Sequence, residues 1–267
     1  MEIKLPRYLY KYRDWNDKFH KRILTHNEIY FPSARKFNDP FDSTIPMRYD
    51  LLTDEETREI FRKKIVQDNP SFSAELIEDR VNYWFSRQEW LKPENEEKFQ
   101  EIKYGTFGIL SVSNVTNNIL MWSHYADSHK GFCVGFDTKA FDKFIKQQAE
   151  DFGIVIDPIK VIYTKEYPKL IPSDFKDDVE YGEVQFKYKS KLWSYEKEYR
   201  YVHIGIADIS FGLDSGIIKK VILGCKMLKE NKQEIKDILV KSNNNITLYQ
   251  AQKKKDEFGL DIVEIDY

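Results

Sequence analysis

Tyr195-Glu196-Lys197-Glu198-Tyr199-Arg200-Tyr201-Val202-His203-Ile204 reads as a β-strand with an acidic pair and an arginine on one face. Side chains alternate along a strand, so Glu196, Glu198 and Arg200 point the same way, beside Ser194. Two carboxylates and a guanidinium do not suit a hydrophobic core. Either this face is solvated or it lines a polar cleft. The flanking Trp193, Tyr195, Tyr199 and Tyr201 imply a packed neighbourhood, which favours the cleft. Working outward, Phe107–Ser113, Gly131–Phe136, Ile154–Tyr163 (bent at Pro158) and Ile217–Leu223 also read as strands. Arg7–Arg13 and Glu28–Phe31 are strands near the start, and Ile246–Gln250 with Asp261–Ile265 closes the chain as a hairpin.

Helical patterns fall between these strands. They cover about Asn16–His26, Asn117–Ala126, a segment to Gln148 capped by Asp137 or Thr138, Pro172–Ser190 and Lys229–Ser242. From about residue 50 to 104 the chain is charged and helical, with a capping box at Thr53-x-x-Glu56 and Pro93 in the first turn of a third helix. Strands and helices alternate without a regular βαβ period. The expected fold is therefore α+β: one domain over residues 1–267, with a mixed, mainly antiparallel sheet and an inserted helical subdomain.

Composition narrows the function. The chain has 267 residues, 41% hydrophobic and 15% aromatic, which excludes disorder over most of its length. Its 42 basic and 44 acidic residues give a formal charge of −2, so no global field draws it to nucleic acid or anionic membrane. Cys133 and Cys225 form neither a CxxC pair nor a disulfide framework and read as buried thiols. The start, MEIKLPRYLYKYR, lacks the apolar region of a signal peptide, and no apolar run approaches the ~20 residues of a membrane span. The expectation is a cytoplasmic chain with no membrane partner.

Phosphate loops of the GxxxxGK[ST] and GxGxxG types and the GxSxG nucleophile elbow are all missing. His124 and His129 are five residues apart, not the four of a metal-binding helix pair, and nothing selects a metal site. Ser111 and Ser113 share a strand face. In Met121-Trp122-Ser123-His124-Tyr125-Ala126, Met121 and Tyr125 share one helix face and Leu120 and His124 another.

Six stretches together carry a resemblance. They are Leu9–Arg13 (LYKYR), Phe37-Asn38-Asp39-Pro40-Phe41, Met121–Ala126 (MWSHYA), Gly131–Asp137 (GFCVGFD), Trp193–Arg200 (WSYEKEYR) and Val221–Gly224 (VILG). Over roughly residues 5–265 the chain resembles a large bacterial and phage family labelled a domain of unknown function, whose hallmarks are FNDPF, MWSHYA and WxxExExR. The order of Arg13, Ser111-Val112-Ser113 and Glu196-Lys197-Glu198 also resembles the R-S-E order of ADP-ribosyltransferases. That second resemblance implies an NAD-consuming enzyme, of the toxin or phage-defence effector type, moving ADP-ribose to a macromolecular acceptor, protein or nucleic acid.

The residue types suit that chemistry. Glu198 would hold a ribose hydroxyl and stabilise the oxocarbenium-like centre, and Glu196 would orient or deprotonate the acceptor. Arg13 would pair with the pyrophosphate, and Ser111, with Ser113 beside it, would hold the nicotinamide side or position Glu198. Tyr10 or Tyr12 would stack on a ring, with His124, Tyr125 and Arg200 in the same NAD site. Two other readings compete. One is a metal-dependent nuclease built on Asp39, Glu196 and Glu198. The other is a non-catalytic module recognising nucleotide, nucleic acid or protein through its aromatic residues.

Overall fold

The structure is a computed structural model that describes residues 4–87, 105–152, 154–175, 178–242 and 245–267. Its strands are β1 (Tyr8–Arg13), β2 (Glu28–Phe31), β3 (Phe107–Ser113), β4 (Phe132–Asp137), β5 (Ile154–Lys160), β6 (Ile162–Thr164), β7 (Tyr188–Ser190), β8 (Glu198–Ile204), β9 (Ile209–Gly212), β10 (Ile218–Leu223), β11 (Thr247–Lys253) and β12 (Leu260–Glu264). The helices are α1 (Arg22–Thr25), α2 (Asp54–Asp68), α3 (Ala74–Ser86), α4 (Ile119–Tyr125), α5 (Thr138–Phe152), α6 (Asp178–Gln185) and α7 (Lys229–Ser242).

Eight strands form one sheet in the order β12-β11-β10-β4-β1-β3-β8-β5. Its neighbours are antiparallel except β10 and β11, which run parallel. Helix α7 joins that parallel pair, as a crossover connection requires. The fold is α+β, as the sequence pattern implies. No described helix is long and apolar enough to cross a membrane.

Each face of the sheet buries its own core. On one, Leu9, Val112, Phe132, Val134 and Phe136 pack against Phe141 and Ile145 of α5 and Ile235 and Leu239 of α7. On the other, Tyr12, Cys133, Ile222 and Ala251 pack against Met121 and Trp122 of α4. Tyr12 and Trp122 meet edge to face at 5.1 Å, and their polar tips are satisfied by the Val115 and Thr116 carbonyls, each at 2.7 Å. The helical insertion has a separate small core of Phe61, Ile65 and Val81. Its first helix starts at the expected Thr53–Glu56 capping box. The helix expected at Pro93 lies outside the described residues.

Strand β1 pairs with β4 along its whole length but with β3 only at Tyr10–Ser113. Beyond that point the two strands part. The edge that β3 loses to β1 is taken by the exit of β2, where Ile109 N–H donates to the Pro32 carbonyl at 2.8 Å. A sheet opened in this way leaves a cleft between its two halves.

The structure corrects three element boundaries. The strand expected from Tyr195 begins at Glu198: Lys191–Glu196 is a 3-10 turn, and Lys197 bends the chain with a left-handed φ of 44°. Most of the helix expected over Asn16–His26 is turn, because Asp14 and Asp17 carboxylates accept the N–H groups of Asn16, Phe19 and His20. The charged helix expected over Pro172–Ser190 is helical only as α6, and Tyr188–Ser190 is strand β7, parallel to β6.

Candidate active site

The opened junction of β1 and β3 is a cavity of about 1040 Å³, which suits a ligand of dinucleotide size. Strand β1 contributes Tyr10, Tyr12 and Arg13, strand β3 contributes Ser111 and Ser113, and α4 contributes His124 and Tyr125. Glu196 and Glu198 line it too. Arg200 is not among the lining residues; it is fully buried behind them.

Arg200 organises the acidic wall. Its Nε and Nη2 donate to the two oxygens of Glu198 at 2.7 and 3.0 Å. The remaining donors reach Asp42 at 2.8 Å, Ser43 Oγ at 3.1 Å and the Phe186 carbonyl at 3.0 Å. A buried guanidinium is tolerated because all its donors are met. Lys189 Nζ sits between three carboxylates, 2.7 Å from Glu196, 3.3 Å from Glu198 and 3.1 Å from Asp42. Tyr125 donates its hydroxyl to the other oxygen of Glu196 at 2.5 Å. Asn38 in turn bonds Tyr125. Ser113 Oγ donates to the Glu196 carbonyl and thereby fixes the turn rather than the side chain.

The two glutamates are driven apart in acidity. Burial pushes Glu196 up to about 7, with the Glu198 charge adding to it and Lys189 opposing. Burial works the same way on Glu198, but the Arg200 and Lys189 charges overcome it and hold the carboxyl well below the usual range. One carboxyl is therefore poised to exchange a proton near neutrality while its neighbour stays ionised. Such a split is how two acids in one site take different roles.

Lys11 and Arg13 of β1 also line the cavity. Lys11 reaches across the gap between the strands and donates to the Ser111 carbonyl at 2.6 Å. Burial, reinforced by the Arg13 charge, pushes its ammonium well below the ordinary lysine value. Arg13 makes one long contact, 3.5 Å to the Tyr12 carbonyl, and burial lowers it to about 10. Exposed His124 stands at the mouth, stacked on Tyr195 at 6.2 Å and edge-on to Trp193 at 6.2 Å.

Residues 121–201 match the family described as Protein of unknown function (DUF2971). The matched segment runs from Met121 of α4 to Tyr201 of β8, so it spans Tyr125, Lys189, Glu196, Glu198 and Arg200. The match covers under a third of the chain and supports a family of unknown function. No curated protein and no solved structure matches the chain.

Sequence reasoning missed Lys189, Asp42 and Lys11. Lys189 lies in Lys187-Tyr188-Lys189-Ser190-Lys191, whose strict alternation signals a strand once the helix reading is dropped. Asp42 stands two residues after the Asn-Asp-Pro turn. Asp39, by contrast, is buried, accepts the Phe41 N–H at 2.9 Å and does not line the cavity. The two histidines part company: His129 meets Ser123 at 3.1 Å and Cys225 Sγ at 3.7 Å, away from His124.

Proposed function

We propose that this cavity binds NAD and transfers its ADP-ribose to an acceptor. The observation that carries the reading is the convergence of Arg13, Ser111 and the Glu196–Glu198 pair, from three separated parts of the chain, on one cavity. Basic and acidic side chains line one dinucleotide-sized space, and Tyr10, Tyr12 and Tyr125 add ring surfaces to it. In the proposed reaction the bond between ribose C1′ and the nicotinamide nitrogen breaks, and nicotinamide leaves with the electron pair. An acceptor oxygen or nitrogen bonds to C1′, and its proton passes to the ionised form of Glu196. A carboxyl with a value near 7 suits that transfer at neutral pH. Glu198 stays ionised and puts negative charge beside the oxocarbenium-like centre. Its engagement with Arg200 and Lys189 makes it also the residue that positions Glu196, through the shared Lys189.

The acceptor is a macromolecule, protein or nucleic acid, and the cellular role is that of a toxin or phage-defence effector in the cytoplasm, both as the R-S-E resemblance implies. The nuclease reading is less favoured. The acids gathered at the cavity are bound by Lys189 and Arg200, which occupy the place a divalent cation would take. Incubation with NAD and chromatography of the products tests the proposal. Nicotinamide should accumulate with wild-type protein and fall at least ~100-fold in Glu196→Gln, in the range expected for losing a general base. NAD left intact over long incubation with protein and nucleic-acid acceptors would contradict it.

A further inference from the structure

Val221–Gly224, one of the stretches that mark the sequence, does not line the cavity. It brings Cys225 against the loop that follows α4. Gly224 N–H donates to the Gly131 carbonyl at 2.9 Å and Lys226 N–H to the His129 carbonyl at 3.0 Å, so the residues on both sides of Cys225 are tied to that loop. Only glycine fits at position 224, because a Cβ there would lie 2.2 Å from the His129 carbonyl oxygen. The loop is itself strained: Asp127, Ser128 and His129 follow one another with φ of 43°, 51° and 72°. Backbone held in this region gathers at functional sites. Here it sets the His129 ring between Cys225 Sγ, 3.7 Å from Nδ1, and Ser123 Oγ, 3.1 Å from Nε2. None of these three side chains lines the cavity, so the cluster stands apart from the NAD reading.

The hydrogen bonds fix where the protons sit. Ser123 gives its one hydroxyl proton to the Ile119 carbonyl at 2.9 Å, so its oxygen accepts from His129 Nε2–H. Burial, with the Lys226 charge adding to it, pushes His129 below the ordinary 6.5, and the neutral ring carries one proton. Nδ1 is therefore a bare acceptor aimed at the thiol of Cys225. Among the described residues no group of three His, Cys, Asp or Glu side chains is gathered as a metal site, so the pair is not a fragment of one. We propose that Cys225 is a peroxide-reactive thiol, with His129 as its base and Ser123 as the residue that positions the base. His129 Nδ1 takes the thiol proton, and Sγ attacks one oxygen of hydrogen peroxide. The S–O bond forms as the O–O bond breaks, and the departing hydroxide takes the proton from Nδ1 and leaves as water. Sulfur is oxidised by two electrons to the sulfenic acid, and the peroxide is reduced by the same two. Cys225 is partly exposed, which admits so small an oxidant. The chain's other thiol, Cys133, is fully buried in β4 opposite Ile222 and serves as an internal control.

Hydrogen peroxide treatment of the full chain, with a 1,3-diketone trap for sulfenic acid and mass spectrometry of the peptides, is the experiment. The adduct should form on Cys225 and not on Cys133, at least ~10-fold faster than on N-acetylcysteine at the same pH. A partly buried thiol without a base would react more slowly than the free one. His129→Asn keeps a residue type that accepts left-handed backbone and should lower the rate at least ~10-fold. Ser123→Ala should lower it less, and nitrogen NMR of the imidazole should show the Nε2–H tautomer of the wild type lost. Thermal melts establish that each variant is folded. If His129→Asn is not, the wild-type rate against N-acetylcysteine and the Ser123→Ala tautomer decide the matter. A Cys225 rate at or below that of N-acetylcysteine, an unchanged rate in folded His129→Asn, or a tautomer indifferent to Ser123→Ala would overturn the proposal. Nicotinamide release decides the NAD reading separately.

Discussion

The two walls of the cavity handle buried charge in opposite ways. On the acidic wall, Arg200, Lys189, Asp42, Glu196 and Glu198 neutralise one another at distances of 2.7 to 3.3 Å. On the basic wall, Lys11 and Arg13 face the cavity with most of their donors unmet. The first wall is complete without a ligand, whereas the second is not. A fold that leaves half-buried basic groups without an ion-pair partner loses stability there, and losses of this kind concentrate where something binds. The difference separates residues that build the site from residues that recognise what enters it.

Breaking the complete wall should have the largest effect. Arg200→Met leaves Glu198 and Asp42 without their main partner, and removing one member of a buried ion pair costs about 3–5 kcal/mol. Urea unfolding should show that loss, and a change below about 1 kcal/mol would mean that the wall is not structural. Next comes Glu198→Gln, which should lower both stability and turnover, whereas Glu196→Gln should lower turnover with the fold intact. Parallel melting and nicotinamide-release measurements separate these two outcomes.

A smaller effect has the opposite sign. Arg13→Gln removes a half-buried cation that makes one long hydrogen bond and should raise stability by up to about 1 kcal/mol without ligand, while weakening NAD binding. A destabilised Arg13→Gln would show that the basic wall is also structural.

A further effect lies in pH dependence. Glu196 has a folded value of about 7 against an ordinary 4.5, so the folded state binds more protons between them. Its contribution to stability is present below pH 4.5 and lost as pH rises through 7. Glu198 is shifted down, so its contribution is present above pH 4.5 and lost on acidification. His20, lowered from 6.5 to about 4, also loses stability as pH falls through that window. The difference in urea midpoint between wild type and Glu196→Gln isolates the first of these. It should change sharply between pH 5 and 8 and stay flat if Glu196 titrates normally.

Regular segments were legible in the sequence, and departures from regularity were not. Helix α7 matches the expected Lys229–Ser242 because its apolar stripe, buried at Ile235 and Leu239, keeps a helical period. Glu198 and Arg200 share a face as alternation implies, since Glu198–Ile204 is unbroken strand. Glu196 reaches the same cavity for another reason: the left-handed turn at Lys197 swings it there from a 3-10 segment. Asp42 and Arg200 are 158 residues apart, and only the folded chain brings them to 2.8 Å. Periodicity gave faces to β1 and β3 but not their separation after Tyr10–Ser113, which is a property of how neighbouring strands diverge.

The most direct test is the structure of the protein with a non-cleavable NAD analogue bound. The account predicts the diphosphate within hydrogen-bond distance of Arg13 and Lys11, and ribose C1′ facing Glu196 across the cavity. An analogue bound outside this cavity, or seated with its ribose carbon turned away from both glutamates, would contradict it.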